Sequence, residues 1–266
     1  MLFKKLRLQL DNNLLKKIDN KIKPSDVITA NKINSLSLNN YEKNKINKLI
    51  LLNNLTNIMG LGKEKAKKLI SLGLTNVNQL HQKKYYDLLS TDTKTWLKYK
   101  PEKDIPHSKL KKIVPLLIKS NKYYKTQVTG SFRRKKATSN DIDILVIGDD
   151  LTKYINDLKK TFNNNVFPYS KGPYKSSFII KVSNKYIKVD AFLVSKDNLV
   201  PMLLYTTGSK VLNIVMRSKA KKLNMLLNQN GLFKINKNSK TKIKGLKTEK
   251  DYFEKLNMLY RDPENR

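Results

Sequence analysis

Apolar residues along this chain change their spacing part-way through. Before Pro106 they recur at helical intervals: Ile46, Leu49 and Ile50 predict a helix over Tyr41 to Asn53, and Gly60-Leu61-Gly62 forms a tight turn that opens an amphipathic helix running to Ile70. A weaker helical pattern covers Leu8 to Ile22, and another covers Ser108 to Lys119 despite Pro115. From Lys125 onward an alternation of period two appears. It predicts strands over Lys125 to Thr129 and Asp141 to Ile147, with a Gly130-Ser131 turn and a short helix over Phe132 to Lys136 between them. Leu151 to Phe162 reads as helix, Ser177 to Val182 and Lys185 to Val194 as a hairpin turning at Ser183-Asn184, and Val211 to Leu227 as helix. Short strands and a helix over Glu249 to Met258 close the pattern. The expected fold class is α+β: a Lys/Asn-rich extension over 1–45, a helical segment over 46–105, a mixed sheet-and-helix segment over 106–195, and a smaller α+β segment over 196–266.

Charge narrows what such a fold is for. The 266 residues hold 55 Lys and Arg against 21 Asp and Glu, a net charge of +34. Like charges at this density repel, and the usual compensation is a polyanionic partner, nucleic acid before an anionic membrane surface. At 39% hydrophobic residues the chain can bury one or two cores, which excludes wholesale disorder. No apolar run approaches the roughly 18 residues of a membrane span, and Met1 to Leu10 has basic residues without the apolar stretch of a secretory signal. The absence of Cys excludes disulfides and thiolate chemistry, and His81 and His107 alone are too few for a His-based zinc site. Lys is the default cation, so the six Arg (Arg7, Arg133, Arg134, Arg217, Arg261 and Arg266) mark places suited to the two-pronged grip of a guanidinium on phosphate or a base edge.

The scarce acidic residues carry the candidate chemistry. Residues i and i+2 of a strand point to the same side, so Asp141 and Asp143 project together while Ile142, Ile144 and Val146 pack behind. In the second strand Ile187, Val189, Ala191 and Leu193 alternate inward, which leaves Asp190 and Lys188 on the other face. If these strands neighbour each other, three carboxylates converge, and two Mg²⁺ ions, hard cations that prefer oxygen ligands, relieve their repulsion. The preceding Gly130-Ser131 turn, with Arg133 and Arg134 beside it, offers backbone N–H groups, a hydroxyl and guanidinium groups to a phosphate. Phosphate held next to paired carboxylates points to phosphoryl or nucleotidyl transfer.

Thr129-Gly130-Ser131-Phe132-Arg133-Arg134 followed by Asp141-Ile142-Asp143 resembles the nucleotidyltransferase signature of the family X DNA polymerases, typified by DNA polymerase β. The similarity continues in order through Ser170-Lys171-Gly172, Val189-Asp190, Tyr205-Thr206-Thr207-Gly208-Ser209, Asn213, Met216-Arg217 and Tyr260-Arg261-Asp262-Pro263. Upstream, Ile58 to Leu69 resembles a helix-hairpin-helix, and Ile105-Pro106 matches a short family motif, so the resemblance runs from about residue 45 to the end. It implies a nucleotidyltransferase palm, a mixed sheet with helices, over 106–195. A helix-hairpin-helix subdomain over 46–105 and a subdomain binding the nascent base pair over 196–266 would flank it. Asp141, Asp143 and Asp190 would be the catalytic metal ligands, with Mn²⁺ able to replace Mg²⁺. Gly130, Ser131, Arg134, Ser139, Asn140, Tyr205, Thr206, Gly208 and Asn213 would bind the dNTP. Gly60, Gly62, Lys63, Lys65, Lys171, Lys188 and Arg217 would contact DNA, and the carbonyls of Thr56, Ile58 and Leu61 would hold Na⁺ or K⁺. The chain departs from the family pattern at Asp104, Asn140, Lys188, Thr206 and Lys210.

The implied activity is DNA-directed gap filling on gapped or nicked double-stranded DNA with dNTPs. The expected protein is a monomer acting alongside a DNA ligase or repair nuclease, without membrane attachment, in the nucleus or, for a viral protein, at a cytoplasmic replication site. The short Ser183-Asn184 turn favours templated synthesis, because template-independent relatives carry a long loop there. Residues 1–45 are too few for the family's N-terminal lyase domain, so no deoxyribose-phosphate lyase activity is expected. Two alternatives stand beside this: a template-independent or RNA-directed nucleotidyltransferase, and a noncatalytic DNA end-binding protein. Tyr85, Tyr86, Trp96, Tyr123 and Tyr124 are expected in the core rather than stacked on bases.

Overall fold

Asn39 starts the first helix with a capping box: its side chain accepts from the Glu42 N–H at 2.9 Å while the Glu42 carboxylate accepts from the Asn39 N–H at 3.0 Å. The computed structural model describes residues 38–119, 121–236 and 239–266, so the helix expected over Leu8 to Ile22 lies outside the described residues. The chain divides into two compact units with their boundary in sequence between Lys98 and Tyr99.

The first unit packs helices α1 (Asn40–Thr56), α2 (Lys63–Ser71), α3 (Lys83–Tyr86) and most of α4 (Thr91–Tyr99) around Leu51, Leu55, Leu61, Ala66, Leu69, Leu80 and Leu97. Tyr85 belongs to that core, and Tyr86 and Trp96 pack against it. Each fully buried Leu contributes about 1.5–3 kcal/mol, and this replaces the weak intrinsic stability of helices only a few turns long.

The second unit is built on a five-stranded sheet. Its strands are β2 (Tyr124–Val128), β4 (Ile142–Gly148), β5 (Val166–Lys171), β6 (Lys175–Val182) and β7 (Lys185–Val194), in the order β2-β4-β7-β6-β5. Only β4 and β7 run parallel. Parallel neighbours need a crossover, here supplied by α7 (Leu151–Thr161) and the β5–β6 hairpin. Before the sheet, β1 (Ile105–Pro106) pairs with β3 (Thr138–Ser139), and α5 (His107–Leu117) follows β1. Helices α5 and α7 cover one face of the sheet through Leu110, Leu117, Tyr154 and Leu158, meeting Ile142, Ile144, Val146, Ile187, Val189 and Ala191. Tyr124 is also in that core, whereas Tyr123, expected inside, is 51% exposed between the ammonium groups of Lys122 and Lys153. The opposite face is covered at one end by α8 (Leu199–Thr207), whose Met202 meets Leu145 and Val194. Beyond α8, α9 (Lys210–Lys222) and α10 (Glu249–Lys255) pack with the meander β8 (Met225–Asn228), β9 (Gly231–Asn236) and β10 (Ser239–Lys242).

The α+β class is the observed one, with local corrections. The helix expected over Phe132 to Lys136 is instead the single turn α6 (Gly130–Arg133), because Lys135 adopts the left-handed conformation. The helix expected to reach Leu227 stops at Lys222, since Asn224 is also left-handed and the chain enters β8. Pro115 sits in the last turn of α5 on its exposed side. Strand β5 and helix α8 were not anticipated from the sequence. No helix among the described residues is long and apolar enough to cross a membrane.

Candidate active site

The β4–β7 register sets Asp143 directly opposite Asp190 and Ile142 opposite Val189, so the buried aliphatic positions of both strands share one face and the carboxylates share the other. Asp141 lies just before β4 on the carboxylate side: the Lys188 Nζ is 3.1 Å from Asp141 Oδ2 and 3.0 Å from Asp190 Oδ2. Strand β6 supplies two more partners. Lys175 Nζ is 2.9 Å from Asp190 Oδ2, and the Ser177 hydroxyl, opposite Asp190 in the β6–β7 ladder, donates to its Oδ1 at 2.6 Å.

Burial pushes the Asp143 carboxyl up to about 7, and the charges of Asp141 and Asp190 push the same way against the weaker pull of Lys188 and Lys175. Burial would also raise Asp190, but Lys188, Lys175 and the Ser177 hydrogen bond outweigh it and hold that carboxyl below its usual value. Lys188 is partly buried, which disfavours its charge, yet Asp190 and Asp141 raise it above the ordinary lysine value. Among the described residues no three acidic or imidazole side chains close on one point as a preformed cation cage. The donor chemistry nevertheless fits a divalent cation. Three carboxylates are gathered on one face, and burial together with the charges of Asp141 and Asp190 raises the Asp143 carboxyl, a penalty on its ionised form that a bound cation relieves.

Beside the carboxylates lies a cleft of about 370 Å³, lined by Gly130, Ser131, Arg134, Ser139, Asn140 and Thr206 together with Asp141 and Asp143. Gly130 has φ +65°, and a Cβ on it would come within 2.0 Å of Asp143 Oδ2, so only glycine fits. The Ser131 hydroxyl donates to Ser139 Oγ at 2.7 Å, and Asn140 Oδ1 accepts from the Asp104 N–H at 2.9 Å. Arg134 reaches the carbonyl of Thr207. Burial holds its guanidinium below the ordinary arginine value, although Asp143 acts in the opposite sense.

Other expected residues sit elsewhere. Tyr205, Gly208 and Asn213 do not line this cleft; Asn213 Nδ2 donates to the Tyr205 carbonyl at 2.8 Å, and the Arg217 guanidinium stands 5.2 Å from the Tyr205 ring centre. Tyr205 instead borders a larger cavity of about 970 Å³ with Phe192, Met202 and Phe233. The carboxylate face lies at the smaller of the two. Lys171 ends β5, and Lys188, expected at DNA, has its ammonium between two carboxylates. Arg133, the other member of the arginine pair, is absent from the cleft lining. It makes two bonds to Glu249, at 3.0 and 2.7 Å, and one to Thr207 Oγ1 at 2.6 Å, while Arg266 adds a 2.7 Å bond to Glu249.

In the first unit, Gly60 has φ +79°, and a Cβ there would meet Thr93 Oγ1 at 2.5 Å, so local packing alone requires glycine. Gly62 has open space around it and precedes α2, where Lys63 and Lys65 are exposed. The Ile58 carbonyl accepts from the Leu61 N–H at 3.1 Å. The residues not foreseen from the sequence are Lys175, Ser177 and Glu249, and Arg266, expected with the other arginines to suit phosphate or a base edge, is instead bonded to Glu249; for Ser177 a signal existed, since a two-residue turn at Ser183-Asn184 aligns it with Asp190.

Known proteins resemble the chain over this region. The DNA polymerase beta palm family model matches residues 104–181, and the DNA polymerase beta thumb model matches residues 202–266. Repair DNA polymerase X of African swine fever virus, in two isolates, is 30% identical over 140 residues, covering 52% of this chain and 78% of the viral protein. A crystal structure of Leishmania infantum polymerase beta, a ternary P/T complex, superposes with a TM-score of 0.70 at 24% identity and covers 83% of this chain and 99% of that one.

Proposed function

The chain belongs to the family X DNA polymerases and is a DNA-directed DNA polymerase of the repair, gap-filling type, and from that premise we propose that its chemistry takes place where β4 and β7 bring Asp141, Asp143 and Asp190 together. The three carboxylates hold divalent cations, Mg²⁺ with Mn²⁺ as a substitute, which when bound neutralise phosphate charge and acidify the primer hydroxyl. Asp190, oriented by Ser177, takes the proton of the primer 3′-hydroxyl. That oxygen attacks the α-phosphorus of a dNTP, the bond to the β-phosphate breaks, and pyrophosphate leaves. Ser131, Ser139 and Arg134 donate hydrogen bonds to the phosphates. Tyr205, Gly208 and Asn213 face the sugar and base, and Arg217 meets the template strand. The exposed Lys63 and Lys65, after the open Gly62, grip the DNA backbone in gapped or nicked duplex, and the carbonyls of Thr56, Ile58 and Leu61 take Na⁺ or K⁺.

The observation that carries the catalytic assignment is the direct opposition of Asp143 and Asp190 across the parallel ladder, next to a cleft whose other walls carry hydroxyls and a guanidinium. Primer extension on a one-nucleotide gap with each dNTP alone, and on single-stranded primer as control, tests it. The expected result is addition of the complementary nucleotide only, lost in Asp190→Ala while DNA affinity is kept. Extension of the single strand, or an active Asp190→Ala variant, would overturn it.

A further inference from the structure

Nucleotidyl transfer at the carboxylates leaves the larger cavity, of about 970 Å³, without a role. The strand side that carries Asp190 leads into it. Asp190, Phe192 and Val194 alternate to one side of β7, so Phe192 stands about 7 Å further along the strand than Asp190, with Val194 beyond it against Met202 of α8. Phe192 and Val194 both line the cavity. Its other aromatic walls come from three separate parts of the chain: Tyr174 just before β6, Tyr205 on α8 and Phe233 on β9. None of these four rings stacks on another ring among the described residues. Three of them face cations: Lys175 lies 4.9 Å from the Phe192 ring centre, Arg217 5.2 Å from that of Tyr205 and Lys240 6.0 Å from that of Phe233.

The lining selects among ligands. Two ammonium groups border the cavity, but Lys175 is bonded to Asp190 Oδ2 at 2.9 Å and Lys242 to Asn198 Oδ1 at 2.6 Å, and Asp149 adds a negative charge. Such a wall is poorly suited to phosphate. Open aromatic faces beside the exposed amides of Gln229 and Asn230, which both donate and accept, suit a planar heterocycle with a hydrogen-bonding edge. We propose that this cavity takes the unpaired base at the 3′ end of a primer. The proposal rests on the polymerase reading, which sets the primer 3′-hydroxyl at Asp190. A terminal sugar held there has its base within reach of Phe192, two residues along the same strand, and Lys175, bonded to Asp190 and lying over the Phe192 ring, stands between the two places. A base paired with the template stays in the duplex stack, whereas a mismatched base loses little on leaving it. Stacking on Phe192 then draws the wrongly ended primer off Asp190.

The test uses the full chain on a gapped duplex whose primer ends in 5-iodouracil, which on irradiation bonds covalently to an aromatic ring stacked on it. Opposite thymine that base is unpaired and should crosslink to Phe192, Tyr174 or Phe233, identified by peptide mass mapping; opposite adenine it is paired and the yield should be several-fold lower. Phe192→Leu keeps an apolar side chain against Met202. It should weaken binding of the thymine-opposed end by roughly tenfold, within the range of one base–aromatic stack, and change the affinity for the adenine-opposed end by no more than about twofold. Phe233→Leu, on a different element, should shift the same difference in the same direction. Equal crosslinking of the two ends overturns the proposal, as does a thymine-opposed end that crosslinks outside these rings, or unchanged discrimination in both variants. If the mismatched end crosslinks as expected but the wild type fails to extend a matched primer, the polymerase chemistry falls and the base site stands.

Discussion

Replacing Asp143 by Asn should make the metal-free protein more stable at alkaline pH, although a residue assigned to catalysis is lost. The Asp143 carboxyl is pushed from an ordinary value of 3.8 up to about 7, a gap equivalent to on the order of 4 kcal/mol between its two protonation states. The side chain is only partly buried, so solvent screening leaves about 2 kcal/mol. The folded state holds this proton more tightly than the unfolded state. Its contribution to stability is therefore complete below the ordinary carboxyl range and is lost as pH rises through about 7. Asn cannot ionise and escapes the loss. Urea unfolding in excess chelator at intervals from about pH 3 to pH 8.5 should show Asp143→Asn level with the wild type at the acid end, below the ordinary carboxyl value, and ahead by about 2 kcal/mol at the alkaline end. Asp190→Asn should behave oppositely, because Asp190 is held below its usual value: it is destabilised at neutral pH, and its deficit shrinks as acid protonates the wild-type carboxyl. A gap for Asp143→Asn that does not change with pH, or that has the same sign as for Asp190→Asn, would refute the account of crowded carboxylates.

Three further outcomes follow from the geometry. Ser177→Ala removes the 2.6 Å hydrogen bond to the largely buried Asp190 and should cost about 1.5–3 kcal/mol in urea unfolding. Gly130→Ala must displace Asp143, whose Oδ2 would lie 2.0 Å from the new Cβ; primer extension should fall at least about tenfold while the far-ultraviolet circular dichroism is kept. Neutralising Lys63 and Lys65 together should weaken gapped-DNA binding regardless of sequence and flatten the slope of log affinity against log salt by about 2.

Much of this architecture could be read before any coordinates. Period-two spacing located β4 and β7 and the face their aspartates share, because the positions covered by helices on one sheet face are all apolar, although Leu145 and Val194 are apolar on the other face as well where α8 covers it. Helix α8 escaped notice because Leu199–Thr207 is apolar on nearly every side, so it has no stripe to betray it, and Pro201 looks like a breaker although the first turn of a helix tolerates proline. The overlong helix to Leu227 is the reverse error: Leu223, Leu226 and Leu227 continue the apolar spacing, and only the backbone at Asn224 ends it. At the site, residue types told which side chains could do chemistry, but not which cations were already committed. Arg133 and Arg134 are neighbours in sequence, yet one is held by Glu249 and the other lines the cleft. That distinction depends on pairings across more than a hundred residues, which no local pattern encodes.

The parallel pairing of β4 with β7 also means that the carboxylate site cannot be complete until the whole crossover between them has been made. As the chain is synthesised, Asp141 and Asp143 emerge early, and Asp190 follows only after all of α7, β5 and β6. Only with β7 between β4 and β6 do Asp190 and Lys188 on it meet Asp143 on one neighbour and Lys175 and Ser177 on the other. The crowding of negative charge therefore belongs to the same strand pairings that complete the central hydrophobic ladder, where aliphatic burial is available to offset it. A chain stalled before Asp190 would carry most of the palm's apolar surface and none of its catalytic capacity.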